Sequence, residues 1–304
     1  MLIVAALGGN ALLRRNEPMD AETAQRNVKI AVAALAEIAN GHQVVVTHGN
    51  GPQIGLLALQ SEAFRDVRTY PLDVLGAESE GMIGYLLERE LGNVVRDRPV
   101  ASLLTQTVVD ALDPAFQKPT KPIGPAYDAD RARALAKERG WTVAPDGKQW
   151  RRVVASPTPR SIVELPTIRL LLKNDVVVVC AGGGGIPVVV DSAGARHGVE
   201  AVVDKDRASA LLARELKADL LLLLTDVPAV ELDWGTPSAH AVRSLTTAEL
   251  ERHTFAVGSM GPKVEAAAAF VRSTHGRAVI GALSDAAAMV DGKAGTVISG
   301  DGAR

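Results

Sequence analysis

A chain of 304 residues is long enough for one large α/β domain or two lobes. Hydrophobic residues are 47% of it and aromatic residues only 3%, so the core must be built from Ala, Val, Leu and Ile. The net charge of −2 excludes a strong electrostatic footprint for nucleic acid or an anionic membrane surface. The one cysteine, Cys180, cannot form an intrachain disulfide, which suits a reducing, cytoplasmic setting. It ends an apolar run and reads as a buried, inert thiol.

Residues 2–7 read as a buried strand. No basic segment precedes them and Gly8-Gly9-Asn10 cuts the run short, so a secretory leader is not expected. No apolar run approaches the length of a membrane span. Residues 20–40 predict an amphipathic helix: Ala24, Val28, Ala31, Leu35 and Ile38 share one face, Asp20 suits the N-cap, and Gly41 lies just past the end. A strand over 43–47, a helix over 52–63 and a long helix over 72–91 follow. The acidic pairs Glu78/Glu80 and Glu88/Glu90 on that long helix are expected to face solvent. A strand is expected over 100–105.

Residues 113–160 break the pattern. They hold prolines at 114, 119, 122, 125, 145, 157 and 159, together with Trp141 and Trp150. Residues 150–156 read as a hairpin strand, and the whole stretch as a protruding subdomain inserted into the sheet domain. Beyond it come a helix over 162–173, a strand over 176–180, a helix over 205–217, a strand over 220–225, a helix over 262–273 and a strand over 278–282. Apolar strands alternating with helices predict a mainly parallel sheet covered on both faces.

Three turns share a design. Gly8-Gly9-Asn10, His48-Gly49-Asn50-Gly51-Pro52 and the run Gly182 to Gly185 each follow a predicted strand. Ligands in open α/β sheets gather at that edge, where bare backbone can approach an anion. The Walker pattern is absent. The segment GNGPQIG at 49–55 is close to a dinucleotide fingerprint, with its third glycine one place late, which leaves a dinucleotide-binding oxidoreductase as a competing reading.

Two lysines stand at predicted helix starts: Lys205, in Asp204-Lys205-Asp206, and Lys263, after Gly261-Pro262, with Pro262 suited to the first helical position. A cation there opposes the helix dipole at a cost of about 0.3–1 kcal/mol, and a bound anion would reverse the sign. The bland alternative is that both point into solvent. Lys121, between prolines in TKPIGP, is held in stiff backbone; Lys118 is its neighbouring competitor. The histidines show no paired metal spacing, His48 reads as a structural histidine, and Ser61, Ser79 and Ser209 suggest no triad.

Six segments in order, LGGNAL at 7–12, HGNGPQIG at 48–55, PTKPIGP at 119–125, CAGGGGIPV at 180–188, VVDKD at 202–206 and GSMGPKVEAA at 258–267, resemble the carbamate kinases of the amino-acid-kinase family. The resemblance spans nearly the whole chain. It implies one amino-acid-kinase domain over 1–304: a three-layer α/β/α sandwich with a mainly parallel central sheet. A carbamate half would occupy 1–200, with the protruding subdomain at about 113–160, and a nucleotide half 201–304. It implies a homodimer, ATP/ADP as substrate, Mg2+ carried by the nucleotide phosphates rather than by protein metal ligands, and the reaction ATP + carbamate ⇌ ADP + carbamoyl phosphate. Relatives often run it toward ATP in arginine, agmatine or ureide catabolism.

By resemblance, Lys205 and Lys263 bridge the phosphates, Lys121 reaches toward carbamoyl phosphate, and Asp206 orients the lysines or the metal. Gly8, Gly9 and Asn10 line the phosphoryl path. Gly49, Asn50 and Gly51 hold the acceptor side, and Gly182, Gly183 and Gly184 wall the transfer centre. Thr225, Asp226 and Val227, with Met260, Gly261 and Pro262, face the nucleotide. Two alternatives stay open: a relative with another small carboxylate or phosphate acceptor, and a non-catalytic nucleotide or metabolite sensor.

Overall fold

The computed structural model describes residues 1–301 except Arg15, Asn16, Arg65, Val67, Val257, Gly258 and His275, and of Asn10 only the backbone. The role expected of the Asn10 side chain therefore lies outside the described residues, as does Gly258 of the segment at 258–267.

Leu220 to Leu224 explain the architecture best. All five leucines are fully buried, although leucine has no special preference for strands. Only a strand covered on both faces hides every successive side chain. Leu221 and Leu223 join one apolar cluster, with Val4, Ala6 and Val178; Leu220, Leu222 and Leu224 join a second, with Ile3, Ala5 and Val46. The strand alternation thus divides the core into two layers, one on each face of the sheet.

That sheet has eight strands in the order Ser244–Thr246, Thr296–Ser299, Arg277–Ala282, Leu220–Thr225, Leu2–Leu7, Gln43–His48, Val177–Val179, Val100–Ser102. The six from Arg277–Ala282 to Val100–Ser102 run parallel; Thr296–Ser299 pairs antiparallel with Arg277–Ala282. The helix Ala21–Ala39 packs in one layer, and Lys205–Leu216 and Met260–Ser273 in the other. Asp20 caps the first of these by accepting the Thr23 N–H at 2.8 Å, a bond worth about 1 kcal/mol.

Several expectations shift. The strand expected over 100–105 is two: Val100–Ser102 in the main sheet and Gln106–Val109 in a second, four-stranded sheet with Pro159–Ile162, Ile186–Val190 and Arg196–Gly198. The chain leaves the main sheet at Thr105, whose N–H and hydroxyl are drawn to Glu80 and Ala181. Residues 159–162 are a strand, and the helix begins only at Leu165, because Glu164 turns back to accept the Gln106 N–H at 2.7 Å. The helix Met260–Ser273 starts earlier than expected, so Pro262 is its third residue and not its first.

Within residues 113–160, the strands Lys121–Tyr127, Gln149–Val154 and Val143–Asp146 form a small antiparallel sheet of their own, with the helix Ala129–Arg139. It packs on the helix Gly51–Ala63. A Cβ on Gly55 would fall 1.9 Å from the Gly124 Cα, so both positions need glycine. Glu62 on the same helix pairs with Arg139 and Arg152, and both guanidiniums lie over the Trp141 ring.

Candidate active site

The glycine turns meet at the carboxyl edge of the parallel strands. The Gly8 N–H donates to the Leu224 carbonyl at 2.9 Å, and a Cβ on Gly8 would lie 3.7 Å from the Thr225 Cα. A Cβ on Gly49 would lie 3.2 Å from the Gly9 nitrogen. The Asn50 side chain rests on Gly183, where a Cβ would approach its Nδ2 to 2.1 Å. Thr225, Gly8, Gly9, Gly49, Asn50 and Gly183 therefore form one continuous row of touching turns.

The cationic centre stands at the start of the helix Lys205–Leu216. Lys205 Nζ lies 2.7 Å from Asp206 Oδ1, and Lys263 Nζ lies 3.0 Å from Asp206 Oδ2. All three groups are largely buried, which rejects the solvent-facing alternative for both lysines. The Lys205–Asp206 pair is close but bent, so neither Lys205 Nζ nor Asp206 Oδ1 makes a directed hydrogen bond. A buried ammonium without aligned partners is an open donor set for an anion.

Burial pushes the Lys205 ammonium down to about 8; Asp206 opposes the shift and Lys263 adds to it. Burial works against the Asp206 carboxylate, but Lys205 and Lys263 outweigh it and hold Asp206 well below the usual carboxylate range.

Asp204, buried beside them, divides its two oxygens. Oδ1 accepts the Asp206 N–H at 2.9 Å and the Arg207 N–H at 3.2 Å, capping the helix. Oδ2 lies 2.5 Å from Lys121 Nζ. The helix start is thus already satisfied by its own carboxylate, and attraction for an outside anion rests on the ammonium groups. Lys121 is the lysine drawn into the centre; Lys118 is exposed.

The glycine run is tighter than a bare cradle. The Gly182 N–H donates to Glu80 Oε1 at 2.8 Å, and the Gly184 and Gly185 N–H groups close on Ala181 and Gly182 carbonyls. Gly183, Gly184 and Gly185 have φ of 66°, 93° and 82°, a region that favours glycine. A Cβ on Gly182 would sit 2.4 Å from His48 Nε2 and 2.9 Å from Glu80 Cγ. The glycines serve close packing of His48, Glu80 and Asn50 as much as exposure of backbone. His48 is buried; burial, with the nearby Lys205 charge, lowers it to about 4, so it is neutral.

Thr225 ends the strand beside Gly8 and Asp226 and Val227 follow it, with the Thr225 hydroxyl 3.1 Å from Asp226 Oδ1. Met260, Gly261 and Pro262 open the helix that carries Lys263. Gly51 opens the helix Gly51–Ala63 and faces the Pro122 carbonyl across to the small sheet. Cys180 is buried, and burial raises its thiol well above the ordinary value, as an inert thiol requires.

The acidic pairs do not all face solvent. Glu78 is exposed, but Glu80 is 1% exposed and Glu90 is buried beside Arg89. Glu80 follows Gly76 by one helical turn and precedes Ile83 and Leu87, so the apolar stripe of the helix Leu72–Val94 already points it inward. Asp204 was legible as the N-cap ahead of Lys205.

A mainly parallel sheet between two helix layers, with a buried lysine–aspartate centre at its carboxyl edge, is suited to gathering and neutralising anionic phosphoryl groups. The profile of the amino acid kinase family matches residues 1–281, and the chain belongs to that family. Relatives that it resembles over nearly their whole length include carbamate kinases. The carbamate kinase of Rhizobium meliloti is 56% identical over 302 residues, covering 98% of this chain and 93% of the relative. That of Haemophilus influenzae is 54% identical, covering 98% and 97%. The structure of carbamate kinase from Giardia lamblia bound to citric acid superposes with a TM-score of 0.93 at 40% identity, covering 99% of this chain and 98% of that one.

Proposed function

We infer that this chain catalyses reversible phosphoryl transfer, ATP + carbamate ⇌ ADP + carbamoyl phosphate. The named relatives, matched over nearly their whole length, support the activity. The observation that carries the mechanism is the convergence of Lys205 and Lys263 on Asp206, beside the row of glycine turns.

Carbamate is already an anion, so its oxygen attacks phosphorus without a general base. The task of the site is to bring anions together and neutralise the charge on the transferring phosphoryl group. Lys205 and Lys263 bridge the nucleotide phosphates, and Asp206 holds the two ammoniums in place. Lys121 reaches the carbamoyl-phosphate side. Gly8, Gly9, Gly49, Asn50 and Gly51 line the path of transfer, and Gly182 to Gly184 wall it. Thr225 to Val227 and Met260 to Pro262 meet the nucleotide. Both oxygens of Asp206 face lysines and one of Asp204 faces Lys121, so these carboxylates leave a divalent ion few free oxygens. Mg2+ would then be carried by the nucleotide phosphates and would supply charge neutralisation there. A homodimer is part of the same reading, and light scattering checks it.

The test is ATP formation from ADP, Mg2+ and carbamoyl phosphate with folded protein. ATP above the uncatalysed background is expected; none would remove this reading.

A further inference from the structure

Two adjacent residues of the helix Leu72–Val94 reach two adjacent glycines of the run. Ser79 is fully buried; its Oγ accepts the Asn50 Nδ2–H at 2.8 Å and donates to the Gly76 carbonyl at 2.8 Å. The Asn50 side chain, so fixed, lies over Gly183. Glu80 Oε1 accepts the Gly182 N–H at 2.8 Å, and its Oε2 accepts the Thr105 N–H at 3.2 Å. The Thr105 hydroxyl accepts the Ala181 N–H at 2.9 Å. Ala181 has a φ of 50°, unusual for a residue with a side chain, and the bonds from Thr105 and Glu80 hold the backbone on either side of that strain.

Among the described residues, Glu80 makes no ion pair. A buried carboxyl without a cation is a costly way to fill a core position that leucine would fill. Its two oxygens, however, satisfy two backbone donors that no hydrocarbon could. Both donors belong to the segments that bend around the acceptor side.

We propose that Ser79 and Glu80 are positioning residues that set the acceptor side of the site: Glu80 through the Gly182 backbone, Ser79 through Asn50. This rests on the carbamate kinase reading for its kinetic arm. Among the described residues, no hydrogen bond of Ser79 or Glu80 goes to Lys205, Lys263 or Thr225, the residues proposed for the nucleotide side.

The test compares Glu80→Gln, Glu80→Ala and Ser79→Ala with the parent in the ATP-forming direction. Glu80→Gln keeps the volume and loses one of the two acceptors. It is expected to raise KM for carbamoyl phosphate about tenfold, and to leave KM for ADP within about twofold. Ser79→Ala acts in the same sense and Glu80→Ala more strongly. Melting curves verify that each variant folds. Hydrogen exchange of the peptide covering 179–186, without substrate, supplies a readout independent of activity, and faster exchange is expected in both Glu80 variants. Folded Glu80→Gln and Ser79→Ala with an unmoved KM for carbamoyl phosphate would overturn the proposal. So would equal rises in both KM values, or unchanged exchange over 179–186. Absence of ATP formation by the parent protein would instead sink the activity reading, and the exchange arm would still decide whether Glu80 holds the loop.

Discussion

Lys121 Nζ lies 2.5 Å from Oδ2 of Asp204, while the other oxygen of Asp204 caps the helix that begins at Lys205. One carboxylate therefore ties the small sheet of residues 121–154 to the cationic centre. Removing the lysine leaves Asp204 with its two backbone donors, so the fold is expected to survive. Lys121→Ala is predicted to lower kcat/KM for carbamoyl phosphate about 10²–10³-fold, the scale of losing one charge-stabilising donor. Steady-state kinetics beside a melting curve check this; near-normal turnover would take Lys121 out of the mechanism.

The two lysines on Asp206 are expected to differ in what else they cost. Lys263→Ala leaves Asp206 its buried neighbour Lys205 and should lose activity by orders of magnitude with little change in melting. Lys205→Ala removes the more deeply buried partner. Breaking a buried pair costs about 3–5 kcal/mol, and the remaining contact to Lys263 keeps the loss at or below the bottom of that range. Denaturant midpoints of the two variants measure the difference. Equal stability would mean that the lysines hold Asp206 equally.

A pH profile follows from Lys205, whose ammonium burial lowers to about 8. In the proposed role the charged form binds phosphate, and it is lost as pH rises through that value. The free enzyme governs kcat/KM, so kcat/KM for ADP should fall above pH of about 8. Bound phosphate favours the ammonium, so the same limb in kcat should lie higher. Lys205→Arg stays charged throughout and should lose the limb even where its rate is poor. A flat parent profile across this range would contradict the assignment.

Gly183 has a φ of 66°, and a Cβ there would fall 2.1 Å from Asn50 Nδ2. Gly183→Ala must move Asn50 and strain the backbone together. Its KM for carbamoyl phosphate is predicted to rise at least about tenfold, while ADP affinity changes little. Calorimetric titration with ADP and kinetics with carbamoyl phosphate separate the two. An equal loss on both sides would make the run a part of the nucleotide site.

The parallel sheet was legible because its strands are unbroken apolar runs, and Leu220–Thr225 falls where the sequence puts it. The cationic lysines were legible because they sit against the helix dipole. What stayed hidden depends on contacts distant in sequence. Thr105 leaves the main sheet because of Glu80 and Ala181, and no local pattern contains those partners. Glycine runs signal close approach but not what approaches: Gly182 and Gly183 yield room to His48, Glu80 and Asn50. Glu80 itself was placed in solvent because its charge outweighed its position on the apolar stripe.

That misplaced charge leads to a prediction of stability. Burial raises the Glu80 carboxyl from its ordinary 4.5 to about 8, against the pull of the Thr105 and Gly182 N–H bonds. Between those values the folded chain keeps a proton that the unfolded chain has released. Stability must then fall as pH rises through that window, because folding takes up a proton. The contribution is full below the unfolded value and gone above the folded one. Glu80→Gln cannot titrate. Its midpoint in urea should lie below that of the parent at about pH 5, and the gap should narrow steadily toward about pH 8. Parallel curves for parent and variant would mean that Glu80 is ionised in the fold throughout, with a counter-charge close enough to keep it so.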